Sequence, residues 1–385
     1  MQYGTGLMMI ELLRMGEVVS SWLWTRHSLN RNHRINKRPK RQAIIREYPL
    51  TREQKREIDD FFVKNYGRKI PFDWHRFYAA HSGVFCAQYF PEYIFNTYFE
   101  RFMNPEDSYN EVLADKNFLP YVAQAAGVRM PRTVLSFSKG LYRDGDGRPM
   151  DRDSVPALLK GRGKLFCKPS RGSFGGKRCF CMDFGHPETD IDAALEGLGR
   201  EFVIQELVSC APSIKAVYPD AVNTFRVTTY RWKDGYHVIP AVMRIARDGA
   251  VVDNASAGGM FVAIGDDGYL RGDAITMDNQ RFAAHPDTHL VFDGHRIDGF
   301  EKVREAALRM HAMLPPMGVI GWDFTLDEQG RPVLIEANIM RNMFYFCQMS
   351  PGIPAFGERT AEVLQWIRKM KRIPYLERRE HAFGN

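Results

Sequence analysis

The chain has 385 residues, of which 44% are hydrophobic and 26% are charged, and its formal net charge is +7. These values are typical of a soluble globular protein of about two domains, and they exclude a chain too polar to bury a core. The six cysteines are scattered without a Cys-x-x-Cys pair. We therefore expect reduced core thiols and a cytoplasmic, reducing compartment.

The N-terminal segment carries the excess of positive charge. Residues 6–24 are mostly apolar, but three charged residues interrupt them, which argues against a spanning helix or a secretory signal. Residues 25–46 contain eight Arg and Lys residues and no acidic residue, and the chain from residue 47 onward is neutral overall. The basicity of this protein is therefore local.

Two interpretations of residues 1–46 stay open. An apolar helix followed by basic residues can lie on an anionic membrane at the inner face, where each basic residue contributes about 1 kcal/mol. Alternatively, the helix packs on the body and the basic residues form a solvated linker. Nucleic acid is a less favoured partner, because no aromatic side chains interleave with the arginines.

A helical region follows the basic segment. Thr51 and Gln54 have the spacing of a capping box, and apolar residues recur at helical spacing up to Tyr66. Residues 74–102 are unusually aromatic. This pattern favours the core of a small helical region over a platform for sugars or bases.

From residue 113 onward, helical and strand patterns alternate. The predicted helices are 113–126, 154–160, 190–198 and 301–314. The predicted strands are 133–137, 166–168, 179–182, 202–208, 225–232, 236–245, 319–326 and 331–337. The last two strands flank Asp-Glu-Gln-Gly and form a predicted hairpin.

A lysine followed by a glycine-rich turn is the first motif with a chemical role. Lys168 ends an apolar run and is followed by Gly172, Ser173, Gly175 and Gly176. Glycine allows backbone N–H groups to approach phosphates closely, and lysine supplies a point charge for them. The order of residues differs from both the Walker and the dinucleotide-binding glycine patterns. We interpret the turn as the tip of a hairpin that closes over ATP.

Three oxygen-bearing side chains on the late hairpin form the second motif. Asp323 lies on one strand, and Glu336 and Asn338 lie two residues apart on the other, so alternation places the latter pair on one face. Carboxylate and amide oxygens are ligands that Mg²⁺ prefers. We predict that these three residues bind Mg²⁺ and that the two motifs together bind ATP with magnesium.

The order of these parts resembles the ATP-grasp superfamily. More narrowly, residues 50–366 resemble the sugar-transfer associated ATP-grasp proteins, through motifs such as Leu-Ala-Asp-Lys-Asn, Lys-Pro-Ser-Arg-Gly, Asn-Thr-Phe-Arg and Gly-Trp-Asp-Phe. The resemblance implies an α+β fold in which two subdomains clasp ATP, preceded here by a helical N-terminal region. We divide the chain into an apolar segment with a basic tail (1–49), a helical region (50–112), the ATP-grasp domain (113–370) and a C-terminal tail (371–385).

The resemblance also implies roles for further residues. Lys116 would reach the phosphates, and Arg226 and Arg244 would stabilise the transferred phosphoryl group. The segment that holds the adenine and ribose would comprise Gln205, Glu206, Leu207 and Val208. Asn254 and the residues after it would form a polar turn at the substrate end. One departure concerns residues 339–342, where the family usually has a Pro-Gly turn after the Glu-x-Asn motif.

The implied activity is that of an ATP-dependent carboxylate–amine ligase that acts through an acyl-phosphate. Its substrates would be a small-molecule carboxylate and an amine, in a setting linked to sugars, such as the decoration of a cell-surface polysaccharide or its precursor. Two other functions fit the same residues. The protein could be a phosphotransferase that stops after phosphoryl transfer, or a non-catalytic nucleotide-binding assembly factor.

Overall fold

The computed structural model of the protein describes residues 2–105, 107–172, 178–233, 235–255, 258–340, 342–381 and 383–384. It combines helices with two antiparallel sheets, which confirms the α+β class predicted from the sequence. Three hydrophobic cores lie in the helical region, around the larger sheet and around the smaller sheet. Each sheet thus has its own buried interior.

The helices of the N-terminal region are α1 (Gln2–Asn36), α2 (Pro39–Glu47), α3 (Arg52–Tyr66), α4 (Asp73–Ser82), α5 (Glu92–Ile94), a π-helical turn (Phe95–Phe99), α6 (Glu100–Met103) and α7 (Asp107–Leu113). The predicted capping box begins α3, where the backbone N–H of Gln54 donates to Thr51 Oγ1 at 3.1 Å. The aromatic residues pack together: Phe95 stacks on Phe344, for example, with ring centroids 3.9 Å apart. The aromatic segment is therefore a core, as predicted.

The basic segment is helical, because it forms the end of α1 and all of α2. The solvated linker considered for these residues is therefore wrong for α2, whose Ile44 and Ile45 are buried in the aromatic core. Helix α1 contacts the π-helical turn, where the hydroxyl oxygens of Ser28 and Thr97 are 2.8 Å apart. Among the described residues, no helix is long and apolar enough to cross a membrane.

The remaining helices are α8 (Leu119–Ala125), α9 (Val155–Leu159), α10 (Ile191–Leu198), α11 (Pro212–Val217), α12 (Phe300–Ala312), α13 (Phe346–Met349) and α14 (Thr360–Met370), with 3₁₀ turns at Arg152–Ser154, Gly357–Arg359 and Tyr375–Glu380. A single helix over 113–126 is a wrong prediction. Lys116 instead lies in the turn between α7 and α8, where the Phe118 and Leu119 amides donate to the Asp115 carbonyl.

The smaller sheet has the strand order β3-β2-β1-β6-β4-β5. Its strands are β1 (Thr133–Ser138), β2 (Leu141–Asp144), β3 (Pro149–Met150), β4 (Lys164–Pro169), β5 (Phe180–Asp183) and β6 (Phe202–Glu206). Strands β4 and β5 pair on either side of the glycine-rich turn, as predicted. The carboxyl end of β4, which carries Lys168, lies beside β6.

The larger sheet has the strand order β11-β10-β9-β8-β7-β12-β13. Its strands are β7 (Thr224–Trp232), β8 (Gly235–Ile245), β9 (Met260–Ile264), β10 (Leu270–Ile275), β11 (Arg281–Phe282), β12 (Val319–Leu326) and β13 (Pro332–Asn338). The predicted hairpin of β12 and β13 forms one edge. Strand β12 is buried along its whole length, between β7 and β13.

The segment after Asn338 is fixed by the helical region. The backbone and side-chain amides of Asn342 donate to Glu100 Oε1 at 2.8 and 2.9 Å. The Asn104 side chain donates to the carbonyls of Val319 and Ile339, both at 2.7 Å. The departure from the family pattern at residues 339–342 therefore coincides with a segment anchored to α6 and to Asn104 just beyond it.

Gly321→Ala should destabilise this anchor. A Cβ at Gly321 would clash with Asn342 Oδ1, and Glu100 holds that side chain in place. We expect a loss of about 1–3 kcal/mol in the free energy of unfolding, measured by urea denaturation. The control is Gly197→Ala in α10. An added Cβ there would meet no atom within 4 Å apart from its chain neighbours and its own helix backbone, so alanine should be neutral or stabilising. Equal stability of the two variants would contradict this account.

Candidate active site

A single cavity of about 1420 Å³ runs between the two sheets and reaches the N-terminal helices. The described residues with predicted roles all contribute to its wall: Lys116, Lys168, Gly172, Gln205, Glu206, Leu207, Val208, Arg226, Arg244, Asp323, Glu336 and Asn338. Ser173, Gly175 and Gly176 lie outside the described residues. Gly172 has a φ of +70°, a conformation that glycine adopts without strain.

Lys168 is a buried cation at the end of β4, only 4% exposed. Its pKa is lowered to about 8, first because burial disfavours the ammonium and second because the Lys116 charge is close, while Glu336 acts in the opposite direction. An anion placed beside Lys168 would relieve this penalty. The electrostatics of this end of the cavity therefore favour a phosphate group.

Lys116 connects the two sheets. Its backbone N–H donates to the Ser170 carbonyl at 3.0 Å, just beyond β4. Its Nζ lies 3.0 Å from Glu336 Oε1 on β13 of the larger sheet. This turn therefore brings a second ammonium group next to Lys168, although the two lysines are distant in sequence.

The end of β6 lines the cavity beside β4. The Gln205 side chain is buried and donates to the Pro131 carbonyl and to Thr133 Oγ1, both at 3.3 Å. The strand ends at Glu206 rather than at Val208, so Leu207 and Val208 lie in the connection to the larger sheet. The exposed Glu206 carboxylate faces the cavity and is able to accept hydrogen bonds from hydroxyl groups.

A row of charges crosses four neighbouring strands of the larger sheet. Arg226 on β7 donates two hydrogen bonds to Asp323 on β12, from Nε to Oδ1 at 2.7 Å and from Nη2 to Oδ2 at 3.1 Å. Arg244 on β8 donates to Asp323 Oδ2 at 3.2 Å. Strand register explains the row, because Arg226 pairs with Asp323, and Asp323 pairs with Glu336 on β13.

Asp323 is ionised by its neighbours. Burial alone would raise the pKa of its carboxyl, but the charges of Arg226 and Arg244 outweigh burial and hold this pKa below the ordinary value. Asn338 adds a weaker hydrogen bond, 3.3 Å from Nδ2 to Oδ2. The carboxylate therefore remains charged and keeps both guanidinium groups in place.

Asp253 is a member of the row that the sequence did not reveal. Its Oδ1 accepts from Arg244 Nη2 at 2.8 Å, and its Oδ2 accepts from the amide and hydroxyl of Thr224. Asn254 Oδ1 accepts from the same Arg244 nitrogen at 3.0 Å. The only signal for Asp253 in the sequence was that it directly precedes Asn254, in a motif interpreted as a polar turn.

A β-bulge directs Glu336 into the cavity. Asp323 pairs with Glu336 while Phe324 pairs with Leu334, so Ile335 is the extra residue in β13. The bulge allows Leu334 to stay fully buried while the Glu336 side chain is 37% exposed. Asn338 follows at the same face, opposite Gly321.

The donor set of the predicted magnesium site consists of two carboxylates and one amide. No cluster of three or more His, Cys, Asp or Glu residues suited to a metal is found in the described part of the chain. Hard oxygens such as these still suit Mg²⁺ when phosphate oxygens and water complete its octahedron. Glu336 is more open than Asp323, because its side chain is 37% exposed and each oxygen of Asp323 already accepts from a guanidinium group.

The comparisons with known proteins show the family of this chain. The family model described as sugar-transfer associated ATP-grasp matches residues 94–363. The chain therefore belongs to the sugar-transfer associated ATP-grasp family, and the ATP-grasp fold with a helical N-terminal region is confirmed. Membership of this family supports ATP as the nucleotide. A search of curated proteins found no match.

Solved structures with a similar fold include three enzymes, all at low identity. The L-amino acid ligase from Bacillus licheniformis is 15% identical, with a TM-score of 0.39, over 67% of this chain and 48% of that chain. VanG D-Ala:D-Ser ligase from Enterococcus faecalis is 13% identical, with a TM-score of 0.38, over 67% of this chain and 62% of that chain. The N5-carboxyaminoimidazole synthetase from Staphylococcus aureus, complexed with ADP, is 12% identical, with a TM-score of 0.37, over 61% of this chain and 48% of that chain. This chain thus spans about half the length of the amino acid ligase.

Lys168→Met should stabilise the folded protein at neutral pH. Below pH 8 the folded chain bears the cost of a buried ammonium. Between pH 8 and the unfolded value of about 10.4, the unfolded chain binds more protons, so wild-type stability rises with pH. At pH 7 we expect the variant to be more stable by on the order of 1–3 kcal/mol, with a smaller difference at pH 10.

Urea denaturation at both pH values measures this effect. The exposed Lys160, which follows α9 outside the cavity, provides the control variant Lys160→Met. Its stability relative to wild type should not change between pH 7 and pH 10. A Lys168→Met variant that is less stable than wild type at pH 7 would show that Lys168 stabilises the fold.

Proposed function

We propose that the protein is an ATP-dependent ligase that joins a carboxylate to an amine through an acyl-phosphate. The observation that carries the proposal is the meeting of two charge sets in one cavity. Lys116 and Lys168 lie at one side, and the Arg226–Asp323–Arg244 row lies at the other, with Glu336 between them. This arrangement suits a polyphosphate next to a second, anionic reactant.

The proposed chemistry has two steps. A carboxylate oxygen of the substrate attacks the γ-phosphorus of ATP, the bond to the β-phosphate oxygen breaks, and ADP leaves. The amine then attacks the acyl carbon, loses a proton and expels inorganic phosphate, so an amide remains. Lys116 and Lys168 would bind the phosphates, while Arg226 and Arg244 would stabilise the charge on the transferred phosphoryl group.

Two further groups complete the proposal. Mg²⁺, when bound, supplies positive charge to the phosphates, and Asp323, Glu336 and Asn338 are the residues that would hold it. Gln205, Glu206, Leu207 and Val208 would hold the adenine and ribose. The family's association with sugar transfer supports a substrate linked to a cell-surface polysaccharide or its precursor, in the cytoplasm.

A substrate screen tests the proposal. ADP release should require Mg²⁺ and a carboxylate, and an amine should increase it and yield an amide detected by mass spectrometry. Amino acids, uronic acids and amines form the panel. Turnover of ATP without any need for an amine, with a phosphorylated product, would replace the ligase by a phosphotransferase. Binding of ATP without turnover on any member of the panel would leave the non-catalytic nucleotide-binding assembly factor.

Glu336→Gln provides the matched variant for this screen. It removes the charge of a partly exposed predicted metal ligand that is also the partner of Lys116, so ADP release should fall by about 10²–10³-fold. Glu301→Gln, an exposed residue at the start of α12, should behave as wild type. Full Mg²⁺-dependent turnover by Glu336→Gln would move the metal site elsewhere.

We also propose that α1 contacts an anionic membrane. Five apolar side chains between 42% and 64% exposed lie at spacings of three and four residues on this helix: Met15, Val18, Val19, Trp22 and Leu23. They form one apolar stripe. Exposed basic residues at the end of α1 and in α2 would attract anionic headgroups, so a peripheral contact at the inner face fits both charge and shape.

Trp22→Glu tests this contact. It places a negative charge within the stripe, so co-sedimentation with phosphatidylserine-containing vesicles should fall about tenfold or more. Ser20→Glu adds the same charge to an exposed position outside the stripe and serves as the control. Binding of the wild type should also weaken with salt, because the Debye length falls from about 10 Å at 0.1 M to about 3 Å at 1 M. Equal binding by both variants would argue against the membrane.

A further inference from the structure

The cavity also includes a region, beyond the Arg226–Asp323–Arg244 row, that no predicted role covers. The polar residues in the wall of this region are Arg31, Arg41, Glu92, Asn96 and Tyr345. Both arginines come from α1 and α2, which precede the part of the chain that the family model matches. The N-terminal helices therefore complete a wall of the cavity.

Arg41 is a cation held in place by aromatic rings. Its guanidinium carbon lies 3.0 Å from the ring centroid of Phe77 and 4.4 Å from that of Trp74. The Nε atom is buried without a hydrogen-bond partner, and within the part of the chain that the structure describes Arg41 has no ion pair. Aromatic faces orient this side chain, and no hydrogen bond of its terminal N–H groups is found among the described residues, so these donors can bind a ligand.

Arg31 approaches the same region from α1. Trp24, Arg31 and Ile35 share the face of α1 that lines the cavity. This face is fixed by the Ser28–Thr97 hydrogen bond and by Arg101, whose guanidinium lies 5.3 Å from the Trp24 ring. The ion pairs found among the described residues do not include Arg31.

The charge balance of the region favours an anion. Glu92 is the acidic group there, and its carboxylate accepts from Asn96 Nδ2 at 3.0 Å. Burial raises the pKa of Glu92, although the charges of Arg41 and Arg31 act against burial. Two guanidinium groups thus act on a carboxyl group whose ionisation is disfavoured, while the charge of Asp73 also acts on Arg41.

Tyr345 connects this region to the proposed reaction centre. Burial raises the pKa of its hydroxyl, Glu92 raises it further, and the charges of Arg41, Arg226 and Arg31 act in the opposite direction. Tyr345, Arg41, Arg31 and Arg226 all lie in the wall of the same cavity. A molecule bound between them would extend from the phosphoryl-transfer site to α1 and α2.

We propose that Arg31 and Arg41 form an oxyanion-binding subsite for the substrate other than ATP. The ligand would be a carboxylate or phosphate group that this substrate carries in addition to its reacting group, since guanidinium binds both oxyanions with paired hydrogen bonds. The inference rests on the proposed ligase function, which supplies the second substrate. It narrows the substrate to an acidic compound and gives the N-terminal helices a part in selecting it.

Calorimetric titration of simple anions tests the subsite. The wild-type chain is first saturated with a non-hydrolysable ATP analogue and Mg²⁺, so that the nucleotide site is filled. Inorganic phosphate and malonate are then titrated separately, and the anion that binds more tightly distinguishes a phosphate from a carboxylate ligand. In Arg31→Gln and Arg41→Gln, the Kd for that anion should rise about tenfold or more.

Matched controls use arginines on the same two helices. Arg34→Gln in α1 and Arg46→Gln in α2 change exposed residues outside the cavity wall, and both should keep the wild-type Kd. Arg31 is exposed, so its variant should fold, and it decides the outcome if Arg41→Gln loses its native circular dichroism spectrum. An unchanged Kd in Arg31→Gln, or wild-type protein that binds neither anion, would overturn the subsite.

The same titration separates the two proposals. Binding of the ATP analogue is measured before any anion is added, and its absence in the wild type would reject the ligase function. Normal analogue binding in the arginine variants, together with weakened anion binding, supports the subsite. Equal weakening of analogue and anion binding would instead indicate that Arg31 and Arg41 act only through the fold.

Discussion

The buried carboxylate of Asp323 is the constraint on which the centre of this protein depends. Two guanidinium groups from adjacent strands converge on it, and leaving any one of these buried charges without its partner would cost about 3–5 kcal/mol. Strands β8, β7 and β12 must therefore hold one register. That register, with the bulge at Ile335, also brings Glu336 to the same face.

The ion pair between Lys116 and Glu336 extends this constraint to the smaller sheet. The turn that carries Lys116 is hydrogen-bonded to Ser170, so a salt bridge to β13 fixes the end of β4 relative to the larger sheet. Lys168 then lies in a buried site where cations are close and its own charge is poorly compensated. Such a site is costly for the isolated protein but favourable once a phosphate is bound.

The N-terminal helices show how one run of basic residues divides between two surfaces. Arg31 and Arg41 face the cavity, whereas Arg34 and Arg46 are exposed outside it. The exposed apolar stripe of α1 lies farther towards the N-terminus than the part that packs on the π-helical turn. Helix α1 therefore has a segment that lines the cavity and a separate segment with exposed apolar side chains.

The sequence by itself determined the local features: the capping box of α3, the strand that ends in Lys168, and the β12–β13 hairpin with Asp323 and Glu336. These follow from hydrophobic period and turn residues, which act over a few positions. Tertiary structure decided the turn at Lys116, the bulge at Ile335 and the cavity-facing positions of Arg31 and Arg41. The hydrophobic period and the charge of a segment do not specify which distant side chain it will contact, because packing between elements sets that pairing.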